Sequence, residues 1–148
     1  ARYIVDSQID NHEKYYFIRE QESQDIVLLP SKYLMQKKDQ KLSPNTIRRS
    51  AGAISYYLNY IDETGIQLDD VWEMPYDKQQ EHFTDYLIWL QAGLHSGDSY
   101  KKKPYNETCN AYLKEVFRFY RFSGQQDEST KQLKSPSDMR IIVYNSVG

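Results

Sequence analysis

The chain has 148 residues, of which 39% are hydrophobic and 14% aromatic, enough for one packed domain and too much for a disordered tail. Nothing approaches the roughly 18 consecutive apolar residues of a membrane span, and Ala1-Arg2-Tyr3 lacks the layout of a signal peptide, so the expectation is a cytoplasmic protein with no membrane partner. The formal net charge of −2 argues at first against a polyanionic partner, but the average conceals a segregation along the chain.

In residues 1–29 the runs Tyr3-Ile4-Val5, Tyr15-Tyr16-Phe17-Ile18 and Ile26-Val27-Leu28-Leu29 are β-branched or aromatic, and Asp10-Asn11 offers turn chemistry between the first two. They leave room for a small N-terminal hairpin. From Ser31 to Lys38 a short helix is expected, with Ser31 as its N-cap after Pro30.

The next helix has clear signals. Ser43 suits the N-cap and Pro44 the first helical position, Ile47, Ala51, Ile54, Leu58 and Ile61 recur at helical spacing, and Gly65 ends the run. A further helix is expected from about Asp77, where Asp77 and Gln80 have capping-box spacing, through the stripe Phe83, Tyr86, Leu87 and Leu90 to Gly93. The last is capped by Asn106, buries Cys109, Tyr112, Leu113, Val116 and Tyr120, and stops at Gly124. Residues 125–148 read as a linker with a short apolar run, Ile141 to Tyr144, and the abrupt ends suggest a piece of a longer chain.

Charge follows these elements. Residues 41–60 carry Lys41, Arg48 and Arg49 with no acid; residues 99–124 carry six cations against Glu107 and Glu115; residues 61–98 carry nine acids against Lys78 alone. On the last helix Asn110, Lys114, Arg118 and Arg121 share an arc of about 80° at ~100° per residue. On the helix after Ser43, the positions Asn45, Arg48, Gly52, Tyr56 and Asn59 share an outer face with Arg49 at its margin. Arg can fork onto guanine or phosphate, Asn can pair with adenine, and the loop cations Lys101, Lys102 and Lys103 suit phosphate. A polar helix face is ordinarily just a solvated one, so charge alone specifies no partner.

Three segments go further. Ser43-Pro44-Asn45-Thr46-Ile47 with Ile54, Leu58, Ile61 and Glu63-Thr64-Gly65, then Asp85 to Leu90, then Asn110 to Phe122 with its closing Phe-Tyr-Arg-Phe, resemble the core-binding domain of tyrosine recombinases (the phage integrase family) in order and spacing over about residues 30–124. The resemblance implies a mainly α, SAM-like four-helix domain that clamps double-stranded DNA at a recombination site together with a catalytic domain and other recombinase protomers. It implies contacts by Asn45, Thr46 and Asn110. Ser50, Gly52, Ala53, Ala111 and Phe117 depart from the family pattern, so Arg48, Arg49, Lys114, Arg118 and Arg121, with the loop lysines, are expected to supply the charge.

No catalytic set is expected in this chain. The family cuts DNA with a tyrosine supported by arginines, a lysine and a histidine, yet none of His12, His82 and His95 is followed three residues later by Arg. Its fourteen tyrosines fall mostly at core spacings, where ring and hydroxyl have packing roles. Neither cofactor motif nor metal-ligand spacing is present, and a single cysteine excludes an internal disulfide. The contrasting expectation is a helical protein-interaction module that uses the acidic face of residues 69–85 or a tyrosine-rich surface, with no nucleic-acid role.

Overall fold

Alternating side chains at both ends of a two-residue loop make an antiparallel hairpin of β1 (Tyr3–Asp10) and β2 (Glu13–Glu20), in the register Val5 opposite Ile18 and Asp10 opposite Glu13. The computed structural model describes residues 1–97 and 103–126, so Lys101, Lys102, most of the expected linker and the Ile141 to Tyr144 run lie outside the described residues. The loop residues Asn11 and His12 take φ of 50° and 67°, the pair of positive values that a twisted two-residue hairpin needs. The turn therefore sits one residue later than Asp10-Asn11. One face of the hairpin turns inward: Ile18 is fully buried, and Tyr3, Val5 and Tyr16 pack against the same core.

Five helices follow among the described residues: α1 (Leu28–Asp39), α2 (Pro44–Thr64), α3 (Asp70–Glu73), α4 (Tyr76–Gln91) and α5 (Asn106–Gln126). The third apolar run makes a single bridge, Ile26 to Arg19, and then enters α1. Ser31 is not the N-cap of α1. Pro30 fits the first turn, where backbone N–H groups have no helical partner to lose, so the helix starts at Leu28. The Ser31 hydroxyl instead accepts from the Ile18 N–H at 3.2 Å and donates to the Ile18 carbonyl at 3.4 Å, fastening α1 to β2.

The ends of α2 follow its local chemistry. Ser43 Oγ accepts from the Thr46 N–H at 3.2 Å, Pro44 opens the helix, and Gly65 closes it at φ 73°. Helix α4 lacks the expected side-chain cap. The Pro75 carbonyl takes the Lys78 and Gln79 N–H groups, both at 3.0 Å, and Asp77 is already inside the first turn. Its far end is a Schellman turn on Gly93, with Leu94 N–H on the Trp89 carbonyl and Gly93 N–H on Leu90. Asn106 is the first residue of α5 rather than its cap, and the helix runs past Gly124 to Gln126. Short α3, which the acidic composition of its surroundings hides, buries Val71 and Trp72.

At the centre lies Tyr57 of α2, fully buried. Its ring meets His82, Phe83 and Tyr86 of α4 and Tyr120 of α5. Tyr120 donates to the Leu68 carbonyl at 3.1 Å, Tyr57 donates to the Tyr120 oxygen at 2.5 Å, and the Tyr57 oxygen accepts from His82 Nε2 at 2.8 Å. That order of donors requires a proton on His82 Nε2. No helix among the described residues is long and apolar enough to cross a membrane.

Burial pushes the His82 imidazole down from 6.5 to about 4. The unfolded chain thus binds a proton between those values that the folded one refuses, so this contribution to stability is whole above pH 6.5 and is lost as pH falls toward 4. Over that window it amounts to about 3 kcal/mol. Urea unfolding at pH 7 and pH 4.5 should show a steeper acid loss for the native chain than for His82→Phe; equal losses would contradict the assignment.

Candidate nucleic-acid interface

Helix α2 carries no acidic residue from Pro44 to Ile61, and the residues it leaves exposed in that span include Asn45, Thr46, Arg48 and Arg49. Among the described residues, neither Arg48 nor Arg49 has a carboxylate within ion-pair distance. Other arginines are engaged: Arg2 bridges Glu20 and Asp62, and Arg19 holds Asp6 at 2.8 Å.

Two grooves divide the outer side of α2. The first runs between α2 and α5 and is lined by Thr46, Arg49 and Ala53 from one helix and by Thr108, Ala111, Arg118 and two carboxylates, exposed Glu107 and buried Glu115, from the other. Arg49 and Arg118 therefore face the same space. The second lies between α2 and β1, where Arg48, Arg49, Gly52 and Tyr56 are opposed by hairpin residues. The hairpin is pinned there by Asn59, whose amide oxygen accepts from the Tyr3 N–H at 2.9 Å and whose amide nitrogen donates to the Tyr3 carbonyl at 3.0 Å. Asn59 is thus occupied with the fold, and its helix face is half walled off.

The remaining expected residues are dispersed. Arg118 and Arg121 are exposed, while Asn110 and Lys114 are half-buried, and Lys114, Arg121 and Asn110 line neither groove. Asn110 Oδ1 is shut away from solvent without a hydrogen-bond donor. Lys103 is exposed, with its stem close to Gly93 at the end of α4, whereas Lys101 and Lys102 fall outside the described residues. Asn45 is exposed in the first turn of α2 beside Thr46, whose hydroxyl is 2.8 Å from Ser43 Oγ. The stripe of four on α5 therefore splits, with Arg118 toward α2 and the other three outside both grooves. On α4 the acids Asp77, Glu81 and Asp85 are exposed together. Among the described residues no three His, Cys, Asp or Glu side chains gather to hold a metal.

Sequence reasoning missed Glu115, which lies under the first groove. It is buried, accepts from the Tyr33 hydroxyl at 2.6 Å, and meets Lys37 Nζ at 3.2 Å and Arg118 at 3.1 Å. Burial works to raise its pKa, but the Tyr33 hydroxyl and the Lys37 and Arg118 cations outweigh burial and hold the carboxyl below its ordinary value. Part of the Arg118 charge is spent on this tie between α1 and α5. Helical spacing makes Glu115 and Arg118 neighbours, but the partners of Glu115 on α1 are about eighty residues away, beyond local pattern. Replacing Glu115 by Ala would strand Lys37 and the Tyr33 hydroxyl in a poorly solvated place, so Glu115→Ala should cost about 3 kcal/mol in urea unfolding. A loss under about 1 kcal/mol would show that the buried cluster does not bind α1 to α5.

No family model, curated protein or solved structure matches the chain. Its functional reading therefore rests on the side chains themselves and on the resemblance they carry.

Proposed function

We propose that this chain binds double-stranded DNA, as the SAM-like core-binding part of a tyrosine recombinase acting in site-specific recombination or integration, without a catalytic centre of its own. The observation that carries the reading is Arg49, uncompensated on an acid-free stretch of α2, which shares the α2–α5 groove with Arg118. A polyanion lying along that groove gains charge-assisted hydrogen bonds from both helices. Thr46 and Thr108 supply hydroxyls at the same level, and the small side chains of Ala53 and Ala111 leave room for a backbone to approach. Lys103, Lys114 and Arg121, with Asn45 and Asn110 at lesser exposure or greater distance, add positive or polar surface outside the groove, and Lys101 and Lys102 extend it in sequence. In the whole protein, a catalytic domain and other protomers complete the clamp.

A protein partner is the second reading. It is favoured by Ile26, Met35 and Leu42, which are 52%, 47% and 37% exposed and line the groove between β2 and α1. Association of that kind would be insensitive to salt.

Duplex binding should lose affinity with salt at a log–log slope of about −0.9 for each phosphate neutralised. The variant Arg49→Glu should weaken a mixed-sequence duplex about fivefold or more in fluorescence anisotropy at low salt, with the unfolding transition unchanged because the side chain is exposed. Unchanged duplex affinity in that variant, or no duplex binding by the native chain, would overturn the reading.

A further inference from the structure

The second groove has a composition that duplex contact does not explain. It encloses about 590 Å³ between β1 and α2. Gly52 forms its floor, in the middle of a helix where glycine costs about 1 kcal/mol relative to alanine. A Cβ placed on Gly52 would have no atom within 4 Å, so the space above it is open. Tyr56 and Tyr112 stand beside this floor, and Tyr16 of the hairpin lines the same space. The Tyr56 ring packs at steep angles against Tyr112, with centroids 5.4 Å apart, and against His95, at 4.7 Å, contacts that fix its orientation beside the cleft. Arg48 and Arg49 stand at the same cleft. The acid in its lining, Asp6, is neutralised by Arg19 at 2.8 Å.

A double helix does not fit this side of α2. The major groove is about 12 Å wide and admits one helix of about 10–12 Å including side chains. With a hairpin fastened alongside through Asn59 and Tyr3, α2 is too broad on this flank to enter. An unstacked base is flat and narrow, and rings beside cations are what single strands use on other proteins.

We propose that the cleft between β1 and α2 holds one unstacked nucleotide of a single strand, its base against Tyr56 and its phosphate on Arg48 and Arg49. This rests on the reading that the ligand of α2 is a nucleic acid. It adds a second mode in the cleft that adjoins the α2–α5 groove and shares Arg49 and Tyr112 with it, suited to a strand that has left the duplex.

The test uses the 148-residue chain with a labelled twelve-residue thymidine oligonucleotide, an abasic oligonucleotide of equal length, and a duplex measured in parallel. Gly52→Leu fills the floor and favours the helix, so it should fold. It should weaken the thymidine strand about tenfold or more and leave the duplex within about twofold. Tyr56→Ala should weaken the strand by about fivefold or more, and the abasic strand should bind the native chain more weakly by a similar factor. The proposal is overturned if Gly52→Leu leaves single-strand affinity unchanged, if it weakens the duplex equally, or if the abasic strand binds as well as the thymidine strand. Duplex binding without single-strand binding overturns this proposal and spares the duplex reading; single-strand binding without duplex binding does the reverse.

Discussion

The roll of α2 about its own axis decides what this protein can present, and Tyr57 sets that roll. Its ring is enclosed by aromatic side chains of α4 and α5, and its hydroxyl is committed to both Tyr120 and His82. A helix turning ~100° per residue then has no freedom left: Arg48, nine residues earlier, points about half a turn away, toward β1. Arg49 comes out beside it, between the two grooves. A change that moved Tyr57 by one position would bury one of these cations and expose the core stripe.

Electrostatics then sorts the surface. Burying Glu115 is unfavourable in itself, and three donors make it tolerable, so a cation that looked free in the sequence is partly spent on holding α1 against α5. Arg48 and Arg49 have no such duty. Acids exposed on α4 belong to a helix that lines neither groove, so the overall charge of −2 conceals an acid-free helix surface with two available guanidinium groups. The hairpin adds the remaining constraint, since its attachment through Asn59 divides the polar side of α2 into an open flank toward α5 and a narrow one toward β1.

What could be read in the sequence was what is settled locally. The ends of α2 follow from Ser43, Pro44 and Gly65, whose hydroxyl, fixed ring and positive φ act within a few residues of themselves. The core stripes of α2, α4 and α5 follow from helical period, and the hairpin from two β-branched or aromatic runs on either side of turn chemistry. The expected caps failed for two different reasons: the Ser31 hydroxyl is taken by Ile18 thirteen residues away, and α4 begins at Tyr76, which leaves Asp77 inside the first turn. The candidate site was legible as residue types on α2, but its division was not. Asn59 on Tyr3 and Glu115 on Tyr33 join residues separated by 56 and 82 positions, and no periodicity reports such pairs.

The most direct test is a nitrogen-15 NMR titration of the chain with a mixed-sequence duplex at low salt, followed residue by residue. Shifts should concentrate at residues 45–53 of α2 and 107–118 of α5, with residues 77–88 of α4 little moved. Shifts centred on α4 or on the groove between β2 and α1, or none at saturating duplex, would contradict the account.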